Sequence, residues 1–223
     1  MQELSKSNLK AVVFDLDGTL LDTIDDITLS LNDMLSHFGY PTIDRDKTIS
    51  IINHGAKSLV RNSFPQPISD EQFDVCFDYY LKSYANNTCD KTVLYKGVYD
   101  LLLDCKKAGY KVCVATNKQT SKTLTLCGEK FNGFEFDYVL GVSDGVAPKP
   151  DPTAILSFLS CLGVKPQNAV MVGDGDTDVK TALNANMQSV AVLWGYRTKE
   201  QLLEAGAKTF ASNAEELRKI LLK

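Results

Sequence analysis

The chain has 223 residues, 44% hydrophobic and 23% charged, with a net charge of −4 at neutral pH. A chain of this size buries roughly 70–75% of its unfolded surface and needs no disulfide or metal staple, while its acidic balance argues against nucleic acid or an anionic membrane as partner, because phosphate-rich surfaces demand basic patches. No apolar run approaches the length of a membrane span. The six cysteines (Cys76, Cys89, Cys105, Cys113, Cys127 and Cys161) form no Cys-x-x-Cys pair, and the opening MQELSKSNLK lacks the apolar region of a secretory signal. They read as reduced, mostly buried thiols of a cytoplasmic protein, and His37 and His54 lie too far apart for a recognisable zinc pattern.

Residues 11–14 (AVVF) are a short apolar run of the kind that forms a strand buried on both faces. Apolar residues Ile24, Ile27, Leu31, Met34, Leu35 and Phe38 then recur at helical spacing over 23–38, with Gly39 and Pro41 ending the stripe. Strand signals vanish from there to about residue 90. Segments 55–64 and 69–86 keep helical spacing, separated by the breaker FPQP, so a helical insertion is expected at roughly 20–92. From Gly97 the pattern alternates: helix 98–108, strand 111–115, helix 119–128, strand 137–142, a helix from Asp151-Pro152 to Leu162, strand 169–172, helix 177–186 and strand 189–193. Thr198-x-x-Gln201 and Asn213-x-x-Glu216 have the form of capping boxes for two final helices. Such alternation demands crossover connections. The expected fold is α/β: a doubly wound, Rossmann-like parallel sheet of about five strands in residues 1–19 and 93–223, carrying an inserted all-helical domain over 20–92.

The chemistry-bearing residues cluster where the strands end. Asp15 and Asp17 follow the first strand in FDLDGTLLDT, and Asp174 and Asp178 follow the strand 169–172 in VGDGDTD. In an open parallel sheet, ligands bind beyond the carboxyl ends of the strands, so carboxylates about 160 residues apart in sequence meet at one edge. Two carboxylates about 4 Å apart repel by roughly 4 kcal/mol at an effective dielectric near 20. A hard cation with oxygen ligands, Mg²⁺ above all, removes that repulsion. Asp15 and Asp17 stand at i and i+2, so an extended backbone turns both toward one site. Gly18 permits a tight turn, and Thr19 offers a hydroxyl and an N–H to an anion. Such a set suits a carboxylate nucleophile toward phosphorus beside a second acid that protonates a leaving alkoxide and then activates water. Thr116 and Asn117 are positioned to bind phosphoryl oxygens, and Lys149 in APKPDP to neutralise transferring charge.

The series DLDGTLLDT, a strand ending in Thr116-Asn117, KPDP, and VGDGDTD, in this order, resembles the haloacid dehalogenase-like phosphatase superfamily over residues 10–20 and 93–195. The helical insertion, with INHGAKSLVR, and the segment YKGVYDLL look most like the phosphoglycolate phosphatase-like members with a small all-helical cap. The resemblance implies that Asp15 is the nucleophile that becomes phosphorylated. It makes Asp17 the general acid/base, whose main-chain carbonyl also ligates Mg²⁺, Thr116 the phosphate binder, and Asn117 a contributor through its backbone. Lys149 then holds the nucleophile and phosphoryl group, Asp174 ligates Mg²⁺, and Asp178 supports the metal shell. One departure is Gly175, where Ser is frequent. It leaves Asp176 as an extra acid with no assigned role.

Plainer readings apply elsewhere: Asp22 caps the first inserted helix, His54 and Arg61 are a turn residue and a solvated helix face that could instead meet substrate, and Trp194 and Tyr196 close the core. The function implied is a Mg²⁺-dependent phosphatase hydrolysing a small phosphorylated metabolite, phosphoglycolate first, as a monomer or homodimer without nucleic acid or membrane partners. Alternatives are a phosphoglucomutase-type transferase, a pyrophosphatase and a non-catalytic regulatory protein. The last predicts a damaged acid set, and Asp15, Asp17, Asp174 and Asp178 are all present.

Overall fold

Ala11–Phe14 form strand β1, and all four side chains are sealed from solvent, as a run without alternation requires of a strand covered on both faces. In chain order follow β2 (Leu21–Asp22), α1 (Ile24–His37), α2 (Arg45–Ile51), α3 (Gly55–Ser63), α4 (Asp70–Asn86), β3 (Val93–Leu94), α5 (Val98–Lys107), β4 (Lys111–Gln119), α6 (Thr120–Lys130), β5 (Tyr138–Val142), α7 (Thr153–Cys161), β6 (Ala169–Gly173), α8 (Asp176–Asn184), β7 (Gln188–Val192), α9 (Lys199–Glu204), β8 (Phe210–Ala211) and α10 (Ala214–Leu222). The computed structural model describes residues 8–52, 55–143 and 145–222. The chain divides into two compact units, one running to Leu21 and resuming at Leu94, the other spanning Asp22–Val93.

The first unit is built on a six-stranded sheet in the order β5-β4-β1-β6-β7-β8, with every pairing parallel. This is the doubly wound α/β architecture expected, with one strand more. The extra strand, β8, is two residues long, too short to carry a periodic signal. From β1 the chain winds outward through β4 and β5 on one side, then through β6, β7 and β8 on the other. The carboxyl end of β1 is therefore the switch point at which such sheets bind ligands. The register fixes what gathers there: Phe14 pairs with Val114 on one side and Val172 on the other. Continued by one and two residues, the three chains place Asp15 level with Ala115 and Gly173, and Leu16 level with Thr116 and Asp174.

One face of this sheet buries Ala11, Val13, Cys113, Ala115 and Met171 against Ile155, Phe158 and Leu159 of α7 and Ala182 of α8. Each large aliphatic or aromatic side chain sealed this way contributes about 1.5–3 kcal/mol, so the sheet edge carrying the acids rests on a rigid base. Two local details differ from expectation. β4 runs on to Gln119 rather than ending at Ala115, with an irregularity in its pairing between those residues. α7 begins at Thr153, one residue later than expected, and the Asp151 carboxylate accepts the Thr153 N–H at 2.8 Å. The Thr198–Gln201 box closes in both directions. Asn213 caps Glu216 N–H at 2.9 Å while the Glu216 carboxylate returns to Ser212 N–H.

The second unit is all helical. α1 buries Ile24, Ile27, Leu31, Met34 and Leu35, and α4 buries Phe73, Cys76, Tyr80 and Tyr84. α2 was not expected: seven residues with few apolar positions give no stripe, and its start is fixed instead by Asp44, which accepts Lys47 N–H at 2.8 Å. The Asp22 carboxylate meets Ile24 N–H at 3.4 Å and pairs with Arg45 at 2.8 Å. Arg61 lies over the Phe73 ring, 3.9 Å from its centroid, and pairs with Asp70 at 3.0 Å. His54 lies outside the described residues. The six cysteines are free, five of them buried and Cys161 exposed, and burial pushes the Cys105, Cys113 and Cys127 thiols up to about 12. Among the described residues no helix is long and apolar enough to cross a membrane.

Candidate active site

After β1 the backbone folds into a tight loop in which Leu16 C=O accepts the N–H groups of Leu20 and Leu21, both at 2.9 Å. Leu16 is fully buried and anchors this loop, so Asp15 and Asp17 flank a fixed point. Gly18 takes φ +78°, and a Cβ there would fall 2.3 Å from Asp174 Oδ2. Only glycine allows both the left-handed turn and that approach. Thr19, expected to face an anion, meets one supplied by the protein: its hydroxyl donates to Asp174 Oδ1 at 2.8 Å.

Lys149 ties the loops together. Its ammonium lies 3.0 Å from Asp15 Oδ1 and 2.6 Å from Asp178 Oδ1, and it donates to Ala115 C=O at 2.9 Å. Asn117 secures the lysine's backbone, its side chain accepting Lys149 N–H at 2.7 Å and donating to Lys149 C=O at 3.0 Å. The Asn117 amide is thus occupied within the protein. Thr116 is buried at the same sheet edge, its hydroxyl oxygen accepting Lys118 N–H at 3.3 Å. Asp178 is held from both oxygens, by Lys149 and by Gly175 N–H at 2.9 Å. Asp176 stands apart, paired with Lys180 at 2.6 Å.

Asp15, Asp174 and Asp178 each bring a carboxylate oxygen within 4.8 Å of the others, all three buried. At that separation two charges repel by about 3 kcal/mol at an effective dielectric near 20. Burial first, then the Asp178 and Asp17 charges, push Asp15 up to about 7 against the pull of Lys149. Burial and the Asp15 charge do the same to Asp174, up to about 7, against hydrogen bonds from Tyr196 and Thr19. Burial also raises Asp178 despite Lys149, whose own ammonium is held well above its ordinary range, burial opposing and Asp15 and Asp178 prevailing. The four carboxylates of Asp15, Asp17, Asp174 and Asp178 face two ammonium groups, Lys118 and Lys149. Arg197 adds a third cation that acts on Asp174 and Asp176, and the carboxylates offer the hard oxygen donors that a divalent cation takes. The donor set therefore fits such an ion.

The family model of haloacid dehalogenase-like hydrolases matches residues 12–192. The chain belongs to that family. It is 30% identical to phosphoglycolate phosphatase 1 of Pseudomonas aeruginosa over 213 residues, covering 93% of this chain and 78% of that one. It is 31% identical to a phosphoglycolate phosphatase of Caulobacter vibrioides over 210 residues, covering 93% and 88%. A crystal structure from Lactobacillus delbrueckii subsp. bulgaricus superimposes with a TM-score of 0.90 at 27% identity, covering 96% of this chain and 99% of that chain. A predicted phosphatase from Clostridium acetobutylicum does so at 0.85 with 30% identity, covering 97% and 99%.

Within this haloacid dehalogenase-like hydrolase, Lys118 went unread in the sequence, and Trp194 and Tyr196 were expected only to close the core. Lys118 reaches Asp17 Oδ2 at 2.9 Å with both side chains largely buried. Its place two residues after Thr116, on the same strand, was the available signal. The Trp194-Gly195-Tyr196 segment does more than close the core: the Trp194 indole donates to Thr19 C=O at 3.0 Å, and Tyr196 N–H donates to Asp174 Oδ2 at 2.8 Å. These contacts use a backbone N–H and a loop geometry that no side-chain pattern encodes.

Proposed function

We propose that this protein is a Mg²⁺-dependent phosphatase that hydrolyses a small phosphomonoester through an aspartyl phosphate on Asp15. The enzyme class, phosphoric monoester hydrolase, is the one its relatives' names share. The observation that carries the mechanism is the buried Lys149 ammonium bridging Asp15 and Asp178 beside Asp174. It fixes one carboxylate, Asp15, beside the acids that would hold a cation.

Asp15, Asp174 and the Asp17 carbonyl would hold the cation, with Asp178 bracing Lys149 and the metal shell, and the bound ion supplies neutralisation of the phosphoryl charge. Asp15 attacks phosphorus while Asp17 delivers a proton to the departing alkoxide. Asp17 then takes a proton from water, which attacks the acyl phosphate, releasing inorganic phosphate and restoring Asp15. Thr116 Oγ1, Asn117 N–H and the Lys149 ammonium stabilise the oxygens of the transferring group. Phosphoglycolate is the first substrate to test, from the relatives' names alone. Residues 1–19 and 93–223 form the catalytic core, and residues 20–92 serve as the cap that selects substrate. The reduced, buried thiols favour a cytoplasmic setting, with the enzyme a monomer or homodimer.

Release of inorganic phosphate from phosphoglycolate with Mg²⁺ tests this reading, with Asp15→Asn as the blank. Loss of turnover in the variant is expected, because an amide is not a nucleophile here. Turnover by Asp15→Asn at near wild-type rate overturns it.

A further inference from the structure

The two lysines at this sheet edge divide the acids between them. Lys149 serves Asp15 and Asp178, whereas Lys118 serves Asp17, its ammonium 2.9 Å from Oδ2, with the lysine side chain 5% and the aspartate side chain 17% exposed. Among the described residues, the carboxylates grouped closely enough to share one cation are Asp15, Asp174 and Asp178, and the Asp17 side chain is not part of that group. Yet Asp17 stands only two residues from Asp15 on the same loop. A short, charged side chain so close to a divalent site has an evident competing position, as a further metal ligand through its carboxylate.

Lys118 is itself held. It sits in β4, its N–H donates to Thr116 Oγ1 at 3.3 Å, and its C=O accepts from Thr123 Oγ1 at 3.5 Å. An ammonium group has donors only. The Asp17 oxygen that faces it, Oδ2, is therefore the acceptor.

We propose that Lys118 is a positioning residue for the reaction: its buried ion pair holds the Asp17 side chain away from the Asp15, Asp174 and Asp178 cluster. This rests on the acid/base role proposed above for Asp17. In the first half-reaction the proton moves from the Asp17 carboxyl to the leaving oxygen as the phosphorus–oxygen bond breaks. In the second it is regained from the attacking water.

The test compares phosphoglycolate, a poor leaving group, with p-nitrophenyl phosphate, which departs without an acid. General acid catalysis is worth about 10²–10⁴-fold, so Lys118→Met should lower kcat on phosphoglycolate at least about tenfold more than on the aryl ester, with KM for both little changed. Lys118→Gln keeps a donor toward Oδ2 and should recover part of the alkyl turnover. It carries the same comparison should the methionine variant not fold. Equal losses on the two substrates, or a rise confined to KM, overturn the assignment. Asp17→Asn is measured alongside. Leaving-group dependence in Asp17→Asn but not in the Lys118 variants overturns the role of Lys118 alone, whereas its absence from Asp17→Asn overturns the acid role of Asp17 and the Lys118 assignment with it.

Discussion

Gly195→Ala isolates the support of Asp174 from the chemistry of the acids. A Cβ at Gly195 would lie 2.2 Å from Asp174 Cβ and 2.4 Å from Gly18 C=O. Ordinary carbon contacts sit near 3.5–4.0 Å, so one or both partners must move by more than about 1 Å. The Gly18 carbonyl is backbone in a loop tied by four hydrogen bonds around Leu16 and Leu21, and Asp174 is clamped through both carboxylate oxygens. Neither can yield without loss. Forcing a methyl into such a site costs about 1–3 kcal/mol, and for a chain of this length each kcal/mol moves the unfolding midpoint by roughly 2–4 °C. Disturbing the partners that orient a metal ligand weakens metal binding by about 10–100-fold. The assay is titration of the enzyme with Mg²⁺ by calorimetry, with a thermal melt of the metal-free protein. Gly128→Ala is the control: it lies in α6 with open space around the new methyl, and should stabilise by about 0.5–1 kcal/mol. Unchanged Mg²⁺ affinity and unchanged midpoint in Gly195→Ala would refute the claim that this close approach sets the metal ligand.

Removing divalent metal with a chelator should lower the unfolding midpoint, because the buried acids then repel with only their lysine and hydrogen-bond partners to offset it, and saturating Mg²⁺ at about 100 times Kd should restore about 2.7 kcal/mol. No change in midpoint on adding Mg²⁺ would count against a metal at this cluster. Asp137 gives a pH signature remote from the site. Burial opposes its ionisation, but hydrogen bonds from Lys106, Val112 N–H and Lys111 prevail and hold its carboxyl below the usual range. A carboxylate depressed in the folded state stabilises above its unfolded pKa of about 3.9 and loses that contribution as pH falls through the folded value. Asp137→Asn should therefore destabilise by about 1–3 kcal/mol near neutrality, with the gap from wild type closing below about pH 4; a gap independent of pH would contradict the ion-pair account. Thr198→Ala removes the cap that accepts Gln201 N–H and should cost about 0.5–2 kcal/mol in a melt, leaving turnover intact.

The parts of the fold that could be read in advance are those whose physics is local. β1 and β6 declare themselves as β-branched runs buried on both faces, α1 as a 3.6-residue stripe, and α9 and α10 by reciprocal caps. What escaped depends on partners distant in sequence. β8 is two residues stabilised by pairing with Ala191 and Val192. The polar end of β4, from Thr116 to Gln119, looks like a loop, yet Gln119 rejoins the pairing opposite Val142. The proximity of Asp15, Asp174, Asp178 and Lys149 was legible because strand order alone carries loop residues to one switch point. Lys118 and the Tyr196 N–H were not, because a lysine after a strand reads as a solvated charge until its acid partner is placed, and backbone donors leave no trace in the sequence.

The central claim is covalent: phosphate passes through Asp15. Turnover of a radiolabelled phosphomonoester with Mg²⁺, stopped by acid and followed by peptide mapping, should recover label on the peptide carrying Asp15 and on no other, and none from Asp15→Asn. Steady turnover with label on a different residue, or Asp15→Asn protein that still accumulates label, would contradict the account.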